Sequence, residues 1–225
     1  MAAPSLPLRK QGQAWGWLIG DQPRDSSIQV NRTYNRAMWN GKVYTKRCRR
    51  YNLAGHAHEL TFSCYQNRPF LASERICQYL VDSIISSREK YQFDLWAYVF
   101  MPNHVHLLIC PRRTQYSISD ILLSIKQPVS RRGIDYLKNH NPDGLKYLAT
   151  SQVRRSYRFW QKGGGFDRNI TNVKTIIDLA HYIHNNPVRK GLVDNADEWH
   201  YSSAADWHGI RQGPIPIDFE SFPVV

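Results

Sequence analysis

Apolar residues between positions 57 and 110 are spaced so as to predict a strand, a helix and a hairpin, in that order. Alternation over 57–65 is typical of a half-buried strand, and helical spacing of apolar residues predicts a helix over 73–91. Two runs rich in Val, Phe, Leu and Ile follow at 93–101 and 104–110. Pro102-Asn103 separates these runs and predicts a tight hairpin between two strands.

The second half of the chain adds a helix, a strand and a last helix. Helical spacing predicts a helix over 117–138, which Pro128 is expected to bend or interrupt. Residues 153–162 predict a final, less regular strand and loop, and a last helix spans 171–186. The β-α-β-β-α-β order predicts an α+β fold of the ferredoxin-like, split βαβ type, with an antiparallel sheet, helices on one face and an added C-terminal helix.

Three parts of unequal regularity follow from the same pattern. Residues 1–52 show no sustained period and are expected to form a partly ordered extension, with a hairpin signal at Asn40-Gly41. Residues 53–208 form the predicted domain. Residues 209–225 are a tail, and the sequence after the last helix is expected to pack across the domain as a strap.

The net charge of the chain indicates which class of partner it binds. The chain of 225 residues has 30 Lys and Arg against 18 Asp and Glu, a net charge of +12, which favours a polyanion such as nucleic acid or an acidic membrane surface. No apolar run is long enough to span a membrane and no secretion signal is evident, so we expect a soluble, cytoplasmic protein. The four cysteines lack C-x-x-C spacing and are expected to be reduced.

A histidine pair begins the second arm of the predicted hairpin. In a strand, His104 and His106 project from one face about 7 Å apart, so two imidazoles could hold one cation. The spacing alone fits equally well a strand whose polar side carries two histidines. A second pair, His56 and His58, lies at a strand entry beside Gly55 and is expected to be structural or exposed.

The last helix carries a tyrosine and an amide on one face. Tyr182 and Asn186 are four residues apart, about 6 Å between Cβ atoms. Tyrosine is a covalent nucleophile, and an amide oxygen is a suitable hard ligand that could join two imidazoles around a cation. The alternative is that Tyr182 only packs and that Asn186 only ends a helix before proline. His184 points to another face and is expected to be structural.

Two motifs together resemble a known family. Residues 102–108 (PNHVHLL), residues 182–188 (YIHNNPV) and the following GLV at 191–193 are similar to the IS200-like single-tyrosine transposases of the HUH superfamily. The resemblance is greatest to the branch called REP-associated tyrosine transposases. It spans roughly residues 56–208, so the N-terminal extension lies outside it.

The resemblance implies a reaction and its residues. His104, His106 and Asn186 would bind a divalent cation, Mg²⁺ or Mn²⁺, and Tyr182 would attack the DNA backbone to leave a 5′-phosphotyrosine and a free 3′-hydroxyl. The substrate would be single-stranded DNA folded into hairpins at imperfect palindromes, cleaved and rejoined without ATP. The protein would be a monomer, or a homodimer that exchanges the tyrosine helix.

Basic residues near these elements are the expected DNA contacts. The predicted set is Arg112, Lys126, Arg131, Arg154, Arg155, Arg158, Trp160, Lys162, Arg189 and Lys190. Four aromatic residues, Tyr157, Phe159, Trp160 and Phe166, could stack on unpaired bases, with core packing expected for at least two of them.

Two other functions remain open from the sequence. One is a hairpin-binding regulator that has the fold and no turnover, against which the intact His104, His106, Tyr182 and Asn186 argue. The other is a metal phosphodiesterase in which water attacks and Tyr182 only packs.

Overall fold

The computed structural model describes residues 50–152 and 155–223, together with two short strands, β1 (Met38–Trp39) and β2 (Lys42–Val43). Met38 pairs with Val43 and Trp39 with Lys42, antiparallel, which confirms the hairpin predicted at Asn40-Gly41. The rest of the predicted N-terminal extension up to residue 49 lies outside the described residues. From Cys48 onwards the chain forms one compact unit.

The elements of this unit follow the predicted order. In sequence they are β3 (Ala57–Ser63), α1 (Glu74–Tyr91), β4 (Phe93–Met101), β5 (His104–Pro111), α2 (Ile118–His140), β6 (Ala149–Gln152), β7 (Arg155–Tyr157), β8 (Phe166–Ile170), α3 (Val173–His184), α4 (Asn186–Arg189) and α5 (Ala204–Trp207). Short 3₁₀ turns lie at Tyr65–Asn67, Phe70–Ala72, Pro142–Tyr147 and Ala196–Glu198.

Four strands form an antiparallel sheet in the order β4-β5-β3-β8. The strand that follows the first helix lies two places away from β3, and β5 fills the position between them. This is the split βαβ arrangement, so the predicted ferredoxin-like α+β fold is confirmed. β6 and β7 form a separate two-stranded ribbon.

The two faces of the sheet bury different helices. Val105, Leu107 and Ile109 of β5 point to the face that α1 and α2 cover. Leu108, between them, belongs to the other cluster, together with Ile183 and other apolar residues of α3. Because side chains alternate along a strand, His104 and His106 lie on the α3 face with Leu108. The tyrosine helix and the histidine pair therefore share one side of the sheet.

The fourth strand of the sheet lies later than the sequence predicts. The expected strand over 153–162 contributes only the ribbon strand β7 and a single bridge between Trp160 and Cys64. β8 takes the place at the edge of the sheet, paired with β3 alone. Of its five residues only Ile170 is buried, so β8 lacks the apolar alternation that reveals a strand.

Helix α2 runs without interruption through Pro128, where a bend or break is expected. Ile121 and Ile125 before the proline and Val129 after it are all fully buried in the core. Tertiary packing of this apolar side offsets the loss of one backbone hydrogen bond at Pro128.

The C-terminal residues pack along the free edge of β4, as expected for the strap that the sequence predicts. Ser202 bridges Val99, and the indole nitrogens of Trp199 and Trp207 donate to backbone carbonyls of β4. Ile215, further along, is fully buried. Among the described residues no helix is both long and apolar enough to span a membrane.

Candidate active site

The histidine pair lies at the start of strand β5. The ring centroids of His104 and His106 are 4.9 Å apart and the rings are nearly perpendicular, at 79°. His106 is buried and His104 is half-buried. Two imidazoles thus converge on one small volume at the end of the sheet, as a shared ligand would require.

Hydrogen bonds fix how each imidazole is oriented. The Nδ1 of His104 lies 2.6 Å from the amide oxygen of Asn103, and the Nδ1 of His106 lies 2.9 Å from the hydroxyl of Thr61. An amide oxygen only accepts, so Nδ1 of His104 carries the proton and its Nε2 presents a lone pair. The Thr61 hydroxyl can accept from Nδ1 of His106 as well as donate to it, so this hydrogen bond is compatible with the same tautomer and holds the ring in one orientation.

Both imidazoles are neutral near pH 7. Burial lowers the pKa of His106 to about 4, and the neighbouring His104 adds to this effect. The pKa of His104 is lowered first by burial and then by the positive charge of Lys190. A neutral imidazole is the form that binds a metal ion.

Tyr182 reaches the histidines from helix α3. The helix begins at Asn172, whose side chain accepts a hydrogen bond from the backbone nitrogen of Thr175, and its apolar face packs on the sheet. The ring of Tyr182 meets that of His106 edge to face, 6.0 Å between centroids at 87°. Tyr182 is 42% exposed, so part of the residue is accessible from solvent.

Asn186 lies just beyond α3 rather than within it. Helix α3 ends at His184, and Asn186 is the first residue of the short helix α4. Pro187 after it has no N–H to donate to the carbonyl of Ile183. The side-chain nitrogen of Asn186 donates to the carbonyls of Tyr182, at 2.8 Å, and Ile183, at 3.3 Å. Among the described residues its side-chain oxygen has no hydrogen-bond partner, so that oxygen is free to act as a ligand of a cation.

These three side chains fit a divalent cation. They offer two imidazole nitrogens and one amide oxygen, each free because the other polar atom of the side chain is already hydrogen-bonded. Within the described part of the chain, no three His, Cys, Asp or Glu side chains cluster as a metal site would. A cation here would therefore complete its coordination with oxygens from substrate and water.

Comparison with known proteins identifies the family of the chain. Residues 51–186 match the model of the IS200-like transposase family. The chain belongs to this family. A Haemophilus influenzae (strain Rd) protein, named as a REP-associated tyrosine transposase, is 27% identical over 137 residues, which cover 58% of this chain and 73% of that protein.

A solved structure shares the fold. It is a REP-associated tyrosine transposase bound to a REP hairpin, and it superimposes with a TM-score of 0.57 at 21% identity, over 80% of this chain and 99% of that one. The recognition of a tyrosine transposase, an enzyme that acts on DNA, is therefore confirmed.

Two predicted DNA contacts flank the site of the transposase. The guanidinium of Arg189 lies over the ring of Tyr182, 4.8 Å from its centroid. Lys190 is close enough to His104 to lower the pKa of that imidazole. Both cations follow the tyrosine helix on α4 and the turn after it, so a phosphate at the site would meet positive charge from this side.

Four other predicted contacts come together in a groove. Lys126 and Arg131 on α2 face Arg158 and Lys162 on the loop after β7, around a cavity of about 470 Å³. Trp160 lies at its floor, where it is buried, stands edge-on to Phe62 and donates its indole hydrogen to the carbonyl of Lys126. Phe159 is also buried, so the expectation that at least two of the four aromatics pack in the core is confirmed.

The remaining predicted contacts are not assembled with these. Arg112 follows the far end of β5 and is ion-paired with Asp94 and Asp218. Arg154 lies outside the described residues, and only the backbone of Arg155 is described.

The second histidine pair is structural. His58 is fully buried, with one ring nitrogen 2.8 Å from Asp167 and the other 2.8 Å from the hydroxyl of Tyr116. His184 is likewise buried, 2.8 Å from the hydroxyl of Ser203. Both outcomes match the predicted structural roles.

Thr61 is a site residue that the sequence pattern does not reveal. It has no motif of its own and acts through strand register, since it lies directly opposite His106 on β3. Asn103, by contrast, directly precedes His104, and its position in the motif was a usable signal.

Proposed function

We propose that this transposase cleaves and rejoins single-stranded DNA at hairpin-forming palindromes through a covalent link to Tyr182. The observation that carries the proposal is the edge-to-face contact between Tyr182 and His106. The solved relative bound to a REP hairpin supports hairpin DNA as the substrate, and the net charge of +12 supports a polyanion.

The bonds exchanged in this reaction balance without a nucleotide cofactor. The phenol oxygen of Tyr182 gives up its proton to water and attacks the phosphorus, and the bond to the 3′-oxygen breaks. That oxygen leaves with the electron pair and takes a proton to become a free 3′-hydroxyl. Rejoining reverses these steps: a 3′-oxygen attacks the 5′-phosphotyrosine and the phenol leaves. The covalent link conserves the phosphodiester energy between the two steps.

His104, His106 and Asn186 are assigned to hold the divalent cation, Mg²⁺ or Mn²⁺. Bound there, such a cation polarises the phosphodiester and lowers the cost of charge that develops during attack. Asn103 and Thr61 keep the two imidazoles turned towards it. Imidazole ligands favour Mn²⁺ over Mg²⁺.

Positive side chains around the site are assigned to the DNA backbone. Arg189 and Lys190 attract the phosphate that is cleaved, because they lie beside Tyr182 and His104. Lys126, Arg131, Arg158 and Lys162 contact DNA further away, in the groove. Contacts by Arg112, Arg154, Arg155 and Trp160 stay predictions, and for Arg112 and Trp160 the existing partners compete with such a contact.

A denaturing gel tests the proposal against both alternatives. The full chain is incubated with Mn²⁺ and a labelled pool of DNA hairpins whose stem feet and flanks are randomised. We expect a protein–DNA adduct that is absent from Tyr182→Phe. Cleavage that survives this substitution would indicate water as the nucleophile, and binding without cleavage would indicate a regulator.

Tyr147→Phe is the matched control. Tyr147 is 38% exposed against 42% for Tyr182, and the guanidinium of Arg68 lies 5.0 Å from its ring centroid. It resembles Tyr182 in exposure and in its cationic neighbour, but it has no histidine ring against it among the described residues. We expect this variant to form the adduct at the parent level.

A further inference from the structure

The groove between α2 and residues 157–164 carries positive charge on every side. Arg50 lines it together with Lys126, Arg131, Arg158 and Lys162, and no Asp or Glu is among its lining residues. Arg50 is ion-paired with Asp167, and the other four cations around this concave surface repel one another unless an anion lies between them. The surface is therefore suited to a ligand that brings negative charge.

Two of these arginines present buried donors without acceptors. Nη2 of Arg50 and Nε of Arg158 are inaccessible to solvent, and neither has a hydrogen-bond partner in the described structure. A buried donor without an acceptor is costly, so such groups favour an ion or ligand that supplies one. Oxygen acceptors from a bound anion would satisfy both.

Apolar surface lies beneath the cations. Leu123 on α2 is 58% exposed and faces the groove, and Phe159 and Trp160 form the opposite side. A positively charged groove with apolar and aromatic surface is how proteins bind unpaired nucleic acid, since cations track the backbone and bases lie on the apolar part. At about 470 Å³ the cavity has the size of a small-ligand site, which admits single nucleotides and not a duplex.

A second, smaller hollow shares lining residues with the groove and is also lined by Thr61, the hydrogen-bond partner of His106. Lys126 and Lys162 line this hollow of about 190 Å³ as well, together with Thr61 and Phe166. Thr61 pairs with Phe166 on one side and with His106 on the other. Directly paired residues project from the same face, so Phe166, Thr61 and His106 form one row across the sheet.

Phe166 therefore lies between the two sites. Two strand spacings, about 10 Å, separate its position from that of His106. Its ring is 45% exposed at the edge of the sheet, an unusual place for a large apolar side chain. Gly165 allows the backbone to approach Thr61 closely at this edge, because a Cβ there would lie 2.1 Å from the carbonyl oxygen of Thr61.

We propose that the groove binds the unpaired DNA strand that continues from the cleaved phosphate, and that Phe166 stacks on a base along the way. The inference rests on the proposed function, because it takes the cleaved phosphate to lie at His104, His106 and Tyr182. It goes further by separating the surface that binds the unpaired flank from whatever surface binds the paired hairpin.

Affinity for three fluorescent DNA probes tests this. The probes are one blunt hairpin and the same hairpin with an oligo(dT) tail on its 5′ or its 3′ side, titrated with the full chain by anisotropy at several salt concentrations. We expect a tail on at least one side to tighten binding. The inference is overturned if neither tail does.

Arg131→Ala/Lys162→Ala is the informative variant. Both side chains are exposed, and neither has a hydrogen bond or ion pair within the described structure, so the fold should survive their loss. We expect the gain from the tail to disappear and the salt slope for the tailed hairpin to fall by about 0.7 for each cation, while the blunt hairpin binds as before. Equal loss for the blunt hairpin, or an intact gain from the tail, overturns the inference.

Two further variants complete the test. Arg113→Ala/Lys138→Ala removes two exposed cations outside the groove and should keep the gain from the tail. Phe166→Ala should weaken binding of the tailed hairpin by about fivefold or more, and Phe166→Trp should restore it. If the tailed hairpin binds Phe166→Ala as tightly as it binds the parent protein, Phe166 does not stack on a base.

The two proposals fail separately. If the parent forms the Tyr182 adduct and the gain from the tail survives Arg131→Ala/Lys162→Ala, only the groove assignment is wrong. If the gain depends on the groove and no adduct forms, the groove binds unpaired DNA and the nucleophile assignment is wrong.

Discussion

The rings of Tyr182 and His106 meet at 87° with 6.0 Å between their centroids, on one face of one sheet. The contact follows from two independent features of the fold. Alternation along β5 turns His106 towards α3, and the apolar side of α3 packs against that same face. Within this chain, Tyr182, which we propose as the nucleophile, and the histidine pair therefore lie in a single site.

A mixing experiment follows from this contact. His106→Ala and Tyr182→Phe each lack one half of the site, so a mixture of the two variants should form no adduct in the gel assay. Exchange of α3 between subunits would combine an intact His106 with an intact Tyr182 and restore a fraction of the parent activity. Recovery of adduct in the mixture would contradict a site built within one chain.

Thr61→Val should weaken metal binding without unfolding the protein. Valine keeps the shape of threonine but loses the hydroxyl 2.9 Å from Nδ1 of His106, so the imidazole is no longer held in one orientation. Loss of such a partner typically costs 10- to 100-fold in metal affinity or activity. Adduct formation titrated with Mn²⁺ measures this shift.

Thr114→Val is the control for that substitution. Thr114 is exposed in the loop between β5 and α2, where the same change removes a hydroxyl away from the histidines. It should leave the Mn²⁺ titration unchanged. An unchanged titration for Thr61→Val as well would show that its hydroxyl does not orient His106.

Trp160→Ala should destabilise the fold. The indole is buried against Phe62 and donates to the carbonyl of Lys126, so truncation creates a cavity and removes this hydrogen bond. We expect a loss of about 3–5 kcal/mol in the free energy of unfolding, measured by urea denaturation. A loss below about 1 kcal/mol would indicate that Trp160 contributes little to the core.

Lys126 should make DNA binding in the groove depend on pH. Burial, and then the charge of Arg50, lower its pKa to about 8, while Cys64 acts weakly in the opposite direction. Lys126 is protonated below pH 8, so affinity for oligo(dT) should fall as pH rises through that value.

Lys126→Arg identifies the source of this pH dependence. Arginine keeps its charge at every pH in the range, so its affinity for oligo(dT) should be flat between pH 7 and 9. The salt slope of the parent should also fall by about 0.7 above the transition, one phosphate contact. The same decline in Lys126→Arg as in the parent would exclude Lys126 as its cause.

Much of this fold is visible in the sequence because its central elements bury one face each. The strands at 57–63, 93–101 and 104–111 and the helices at 74–91 and 118–140 carry the apolar periods that burial imposes. β8 is not predicted because four of its five residues are at least partly exposed, so this strand carries no such period. Helix α2 is not interrupted at Pro128, because the buried residues on either side stabilise it and local propensity takes no account of them.

The site was predictable where chemistry is concentrated in a motif. His104, His106, Tyr182 and Asn186 lie in two short stretches, and the fold brings both stretches to one face of the sheet. Thr61 and Phe166 depend on strand register, which joins residues distant in sequence. The groove depends on a loop packed against α2, and no local pattern in the sequence encodes that packing.

The most direct test of the account is the chemical identity of the residue joined to DNA. The adduct formed with Mn²⁺ and the hairpin pool is digested with protease and nuclease, and tandem mass spectrometry locates the remaining nucleotide. The account predicts a 5′-phosphate ester on Tyr182 and on no other tyrosine. A nucleotide on another residue, or cleaved DNA with no modified peptide, would contradict Tyr182 as the nucleophile.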